Sequence, residues 1–289
     1  MRQNGMFTAA KPGYSLKILW LWPDILNQHG ERGNVMALVR ICALYGIKTE
    51  VTRVNRLTED FGFEGFDIAV LGAGELAVMP AIVGAARKRL PELQAWTEGG
   101  GLLFATGTTG AALGTCTTRL DGSHFDGLGL LDMECREREI VLGDDLIFEP
   151  EDADTFAAAS PEPTLYNPAV YSIQIHMMDV MLNEGQPPFG KTIYGYGNNG
   201  SGSEGAVKGG VIFTNALGPV LVKNPRLTLG LINKALGRER HNAAAAGGQQ
   251  TAPLILNPDL FTFERESAKA IKRFNDTKER PKGAHPYLV

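Results

Sequence analysis

The sequence predicts an α/β fold built on a doubly wound, mostly parallel sheet with antiparallel strands at its edge. Three observations carry this. Continuous apolar runs of strand length, LKILWLW (16–22), FDIAVLG (66–72) and GLLFATG (101–107), have the pattern of strands covered by helices on both faces. Segments of helical periodicity separate these runs. The strands alternate with helices at the spacing that right-handed crossovers of a parallel sheet require.

In chain order, residues 1–13 carry polar residues, Gly and Pro without periodicity and read as a loose leader. The run 16–22 is the first buried strand. Gly33 to Tyr45 places Val35, Leu38, Val39, Cys42 and Ala43 at helical spacing, and Gly46 follows as a stop, so this is the first crossover helix. TEVTRV (49–54) and the 66–72 run are further strands. Glu75 to Thr97 reads as helix with breaks at Pro80 and Pro91. From Asp121 onward strand and turn dominate: GLGLLDMEC, EREIVLG, VYSIQIH, KTIYGYG and AVKGGVIFT, with Asn199-Gly200 marking a hairpin. These antiparallel strands are expected to extend one edge of the sheet.

EPEDAD (149–154) and the Pro-rich stretch to Pro168 read as an exposed excursion, a solvated loop rather than a metal site. Asn224 to Leu236 returns to helix, and RHNAAAAGGQQTAP (240–253) has the composition of a flexible linker. Leu260 to Phe274 is an amphipathic helix offering Leu260, Phe261, Phe263, Ala268, Ile271 and Phe274 for packing, either as a cap on this subunit or onto a partner. The expected division is a leader at 1–13, one main domain at 14–237, a linker at 238–258, and a C-terminal helix and tail at 259–289.

Composition excludes several classes. With 44% hydrophobic and 21% charged residues in 289, the chain is an ordinary globular protein with room for one large α/β core. A formal net charge of -4 provides no basic field for nucleic acid or an anionic membrane. Cys42, Cys116 and Cys135 are too few and too scattered for a disulfide framework or structural zinc, which fits a reducing cytosol. The apolar run ending at Trp22 is too short to span a bilayer. A cytoplasmic protein without a cofactor or a bound metal is expected.

The chemistry centres on Leu102 to Gly114, LLFATGTTGAALG, a strand running through a Gly-rich turn into a helix, where many α/β enzymes mount a nucleophile. The turn offers Thr106, Gly107, Thr108 and Thr109, and no cysteine. Five blocks, ERGNVMALVRICALYGIKTEV, FDIAVLGAGEL, DGSHFDGLGLLD, IYGYGNNGSGSEG and TNALGPVLVKNPRLTLGLINKAL, cover most of residues 16–237. Together they resemble the class I glutamine amidotransferase domain of the cobyric acid synthase type, in particular the amidotransferase subunit of lipid II isoglutaminyl synthase.

That resemblance implies a flavodoxin-like sheet and a glutaminase that feeds ammonia to a Mur-ligase-like, ATP-dependent partner, which amidates the D-glutamate of the lipid II stem peptide. It also implies a cysteine thiolate at the elbow, a histidine that moves protons, and backbone N–H groups that hold the oxyanion. Thr106 stands at the thiolate position, and an internal threonine lacks the N-terminal amine that usually activates such a hydroxyl. Leu217, in TNALGPVL, stands where the family has its histidine; Asn215 nearby is no base. The oxyanion strand end reads Gly72-Ala73-Gly74-Glu75, and with Gly107 these glycines would line the substrate position. Asp179 stands where the family's stand-alone subunits carry a substrate-holding arginine. Losing nucleophile and base together predicts a subunit without its own glutaminase activity.

Other readings keep an activity or a ligand. Cys116 is a displaced nucleophile or a bystander thiol, and His176, on VYSIQIH, is a proton carrier or a satisfied structural residue. His124 falls in a turn. His29, Asp24 and Glu31 share a polar loop without the spacing of a ligand set. GAGEL and TGTTGAALG match neither the P-loop nor the dinucleotide fingerprint, although TGTTG at a helix N-terminus suits an anion. A sensor that holds glutamine or an anion in the degenerate pocket is therefore the alternative from outside the enzyme class.

Overall fold

The computed structural model describes residues 15–156, 158–159, 169–245 and 252–277. In chain order they form β1 (Ser15–Leu21), α1 (Arg32–Leu44), β2 (Lys48–Val54), β3 (Ile68–Leu71), α2 (Met79–Arg87), α3 (Leu90–Glu98), β4 (Leu102–Thr106) and α4 (Gly110–Leu113). There follow β5 (Cys116–Thr118), β6 (His124–Asp126), β7 (Met133–Pro150), α5 (Ala153–Phe156), β8 (Val170–Leu182), β9 (Gly190–Tyr194), β10 (Ser203–Glu204), β11 (Ala206–Lys208) and β12 (Val211–Thr214). The chain closes with α6 (Val220–Lys223), α7 (Pro225–Ala245) and α8 (Thr262–Thr277).

The first sheet has the order β11-β12-β4-β3-β1-β2, and every pairing except β11 with β12 is parallel. Taken in chain order, its five parallel strands are arranged 2-1-3-4-5, which is the flavodoxin-like doubly wound arrangement. Alternation within the strands explains why both faces are covered. Leu16, Ile18, Trp20, Ile68, Val70, Leu102, Phe104 and Ile212 point into a core shared with α1, α6 and α7. Leu19, Leu21, Ala69, Leu71, Leu103, Ala105, Val211 and Phe213 point into the opposite core, shared with α2, α3 and α4.

The second half departs from the expected edge extension. Only β11 extends the first sheet; the remaining antiparallel strands build a second one, ordered β10-β9-β7-β5-β6, with β8 also on β7. The physical reason is the 18-residue length of β7, which pairs along most of itself with β8 and still has edge left for β5 and β9. GLGLLD is a turn. Its Gly127 packs so closely on the Gly114 carbonyl that a Cβ has no room, and Gly129 is left-handed at φ 66°. The 75–97 stretch is divided at the two prolines, and Pro80 and Pro91 each sit in the first turn of a helix, α2 and α3.

The expected linker is also shorter than its composition suggested. α7 continues through Ala245, in keeping with the helix propensity of the alanine run, and beyond it Leu254 and Leu256 are core residues. Asn233 fixes this return by exchanging two hydrogen bonds with the Leu254 backbone. The leader 1–13 and the Pro-rich stretch to Pro168, apart from 158–159, lie outside the described residues. Among the described residues no helix is long and apolar enough to cross a membrane.

Candidate functional site at the strand-to-helix elbow

Ligands of open α/β sheets sit beyond the C-terminal ends of the strands, where the strand order reverses. Here that is the gap between β1 and β3, and the loops after β1, β3, β4 and β12 converge on it. At the end of β4, Thr106 is still extended (φ -127°, ψ 145°), and the next residue turns the chain. Gly107 has φ 61° and is the left-handed elbow residue.

The left-handed turn therefore falls one residue after Thr106. Thr106, expected at the elbow, instead points its hydroxyl away into the core: it is fully buried and donates to Glu31 Oε2 at 2.6 Å. The residue whose side chain would project from the elbow has none. A Cβ placed on Gly107 would meet Leu217 Cδ2 and Ala73 Cβ, each at 2.9 Å. Gly107, Leu217 and Ala73 are therefore neighbours. They meet through apolar contacts, with Leu217 and Ala73 each 2% exposed.

Thr108 ties the same turn to the loop after β3: its Oγ1 accepts from the Gly74 N–H at 3.0 Å and donates to the Gly74 carbonyl at 2.5 Å. From the other direction the loop after β1 lies over Gly72 and Gly74. Trp22 turns it with a left-handed φ of 51°, unusual for a bulky side chain, and its carbonyl accepts from the Ile25 and Leu26 amides. The Leu26 carbonyl abuts Gly72, the Ile25 carbonyl lies 3.0 Å from a Cβ at Gly74, and the Gln28 amide donates to the Ala73 carbonyl at 3.0 Å. Gln28 Nε2 also donates to Glu75.

Glu31 ties these loops together. Its carboxyl accepts from Thr106 Oγ1, from Asn34 Nδ2 at 2.8 Å and from the Gly218 amide at 3.3 Å, joining the loops after β1, β4 and β12. Burial pushes its pKa up to about 7, against the opposing pull of those three donors. Sequence reading placed Glu31 only in a polar loop with Asp24 and His29. The available signal was Asn34 three residues on, one helical turn from Glu31, and it reveals neither Thr106 nor Gly218.

A second buried acid, Glu204 on β10, lies against the end of β12. Glu204 accepts from Thr214 Oγ1 at 2.6 Å, from the Asn215 amide at 2.8 Å and from Asn215 Nδ2 at 2.9 Å, and burial raises its pKa. Asn215 also donates to Asn198 at 2.7 Å, so its side chain is committed to this network.

The other candidates fall elsewhere. Cys116 begins β5 in the second sheet, beyond α4, and is half-buried. Cys42 and Cys135 are buried thiols whose pKa burial pushes up to about 12. His176 is on β8, 3% exposed, with Nδ1 3.1 Å from the Met178 carbonyl and its ring edge-on to Tyr196. Burial holds its pKa down to about 4, so at neutral pH it is an uncharged imidazole. Asp179 is held by Arg138 at 2.6 Å and by the Tyr196 hydroxyl at 3.0 Å, so it is engaged in an ion pair. His124, His29 and Asp24 are exposed, and among the described residues no group of three His, Cys, Asp or Glu side chains could hold a metal.

Comparison with known proteins gives two similarities that each cover 78% of this chain. The chain is 28% identical over 233 residues to the lipid II isoglutaminyl synthase (glutamine-hydrolyzing) subunit GatD of Staphylococcus aureus strain N315, covering 78% of this chain and 86% of that one. It is 24% identical over 233 residues to the subunit of the same name from Streptococcus pneumoniae, covering 78% and 82%. Among solved structures, PurLQS from Thermotoga maritima superposes with a TM-score of 0.49 at 11% identity, covering 77% of this chain and 98% of that one. A glutamine amidotransferase crystal structure superposes at 0.46 and 17%, covering 75% and 98%. No family model matches the chain.

Proposed function

We propose that this chain is a glutamine amidotransferase-like subunit that does not hydrolyse glutamine itself and serves as scaffold or regulator in an assembly of the lipid II isoglutaminyl synthase kind. Its partner in this reading is a Mur-ligase-like, ATP-dependent synthetase, which would amidate peptidoglycan stem peptides with ammonia from another source. The similarity to two GatD subunits over 78% of the chain supports the assembly. The observation that carries the loss of hydrolysis is the elbow itself, where left-handed Gly107 offers no nucleophile and Leu217 rests on it.

Acyl transfer from glutamine needs a nucleophile, a group to move its proton, and donors aimed at the oxyanion. Gly107 lacks the first, Leu217 cannot perform the second, and Thr108 occupies the Gly74 amide that would supply part of the third. Removing any one member of such a unit already abolishes most of its catalysis. What remains is the frame. Glu31 and Glu204 still bind the strand-end loops into a fixed surface, which suits a docking role.

The test is glutamate release from glutamine by the purified chain, alone and with a co-purifying Mur-ligase-like protein, beside an active cysteine glutaminase. No release in either state, together with a stable complex, is the expected result. Release abolished by Cys116→Ala would overturn the proposal in favour of a displaced nucleophile.

A further inference from the structure

The loop after β1, residues 22–31, fills the crevice where the strand order reverses, and its backbone is strained at both ends. Trp22 has φ 51° and His29 φ 58°, and these are the two left-handed non-glycine residues among the described ones. Left-handed backbone presses the Cβ of an L residue towards the following carbonyl oxygen, so both positions favour another conformation. Trp22 carries a second cost, because its indole Nε1 is buried without a hydrogen-bond partner.

The closed position is held by little. Among the described residues, the hydrogen bonds that 23–30 makes across the crevice come from Gln28 alone: its amide donates to the Ala73 carbonyl and its Nε2 to Glu75. The other contact is Leu26, fully buried, whose Cδ2 lies 2.8 Å from the place of a Cβ on Gly74. Outside these residues the chain is fixed. The Trp22 amide is bonded to the Val54 carbonyl at 2.7 Å, and Glu31 is tied to Thr106, Asn34 and Gly218. The floor is cut to fit the loop: Gly72 and Gly74 lack the Cβ that it would strike, and neither has a left-handed φ that calls for glycine on its own account.

We propose that residues 22–31 are a strap that opens independently of the rest of the fold, releasing the strain at Trp22 and His29 and uncovering the 72–75 turn. Open α/β sheets take their ligands in this crevice, so the closed strap is an autoinhibitory contact, with Leu26 seated over Gly74 as a plug and Gln28 as its latch. Opening breaks the two Gln28 bonds and exposes Leu26, while both strained residues relax, which offsets part of that cost and brings the open form nearer in free energy. Strained residues of this kind collect at switch regions. The inference is independent of whether the chain hydrolyses glutamine.

Amide hydrogen exchange of the full chain, in a series of urea concentrations below the unfolding transition, tests this. The Leu26 and Gln28 amides, bonded to the Trp22 and Ala73 carbonyls, are expected to exchange roughly a hundredfold faster than the β1 and β3 amides after correction for intrinsic rates, with little dependence on urea. His29→Gly takes the left-handed angle without the Cβ contact and should slow exchange of the Gln28 amide roughly threefold. Gly74→Ala wedges against Leu26 and the Ile25 carbonyl and should speed it roughly tenfold. In both variants the amides of the 119–123 turn, which can open with the strap in place, should keep their wild-type rates. His29 is exposed, so its variant keeps the fold whatever becomes of Gly74→Ala. Exchange of Leu26 and Gln28 only together with β1 and β3, with the urea dependence of global unfolding, overturns the proposal. So does a Gln28 amide that exchanges at the wild-type rate in His29→Gly.

Discussion

Replacing Glu31 by Gln should change how stability depends on pH. Glu31 is 2% exposed, and its pKa rises from the ordinary 4.5 to about 7 on folding. An acid whose pKa is raised in the folded state favours folding most when protonated. Its contribution is therefore fully present below 4.5, is lost as pH rises through 4.5 towards 7, and is level above that. The displacement corresponds to about 3 kcal/mol in all, of which about 2 kcal/mol falls between about pH 5.5 and about pH 8. Gln has no proton to lose, so Glu31→Gln is free of this term. Gln can donate to Thr106 Oγ1 and accept from the Gly218 amide, while Asn34 Nδ2 loses its acceptor. The variant should be the less stable protein at acid pH and should gain about 2 kcal/mol on wild type by about pH 8. Urea unfolding at the two pH values measures this. Parallel behaviour of the two proteins would show that Glu31 ionises as an ordinary surface acid and that the carboxyl cluster at the strand ends is not sealed from water.

Two further outcomes follow from the same packing. His176 titrates in the opposite sense: its pKa falls from 6.5 to about 4, so its contribution is present above 6.5 and is lost as pH drops towards 4. Melting curves over that window should show His176→Gln with a shallower acid limb than wild type, and an unchanged limb would mean that the imidazole reaches solvent. Leu217→Ala should cost roughly 2–4 kcal/mol, read as a lower urea midpoint, because it empties the space over Gly107. It should also leave glutamate release at background, since a cavity supplies no nucleophile.

How much of this was legible beforehand varies with the range of the interaction. The alternation of buried strands and amphipathic helices in the first half is written locally, in periods of two and of about 3.6 residues, and it led directly to the doubly wound sheet. The same reasoning merged the later strands into that sheet, because periodicity describes a strand and is silent on its neighbour. The linker reading was drawn from composition, yet Leu254 and Leu256 join the main core and α7 runs on to Ala245.

At the site, the absence of cysteine from the turn and of histidine from TNALGPVL is a property of the sequence alone, and from it came the expectation of a subunit without hydrolysis. Which residue occupies the elbow was not. Thr106 and Gly107 are adjacent in the chain, and only the backbone angles distinguish the extended end of the strand from the left-handed turn after it. Glu31 was hidden for a related reason. Its partners Thr106 and Gly218 lie 75 and 187 residues away, and no local pattern marks a carboxyl that becomes buried only when three strand-end loops close around it. The sequence by itself determined the fold class and the residue types at the turn, because these depend on residue type and short-range period. The tertiary structure decided what those residues touch, because burial, pKa and contact arise only when distant segments exclude water together.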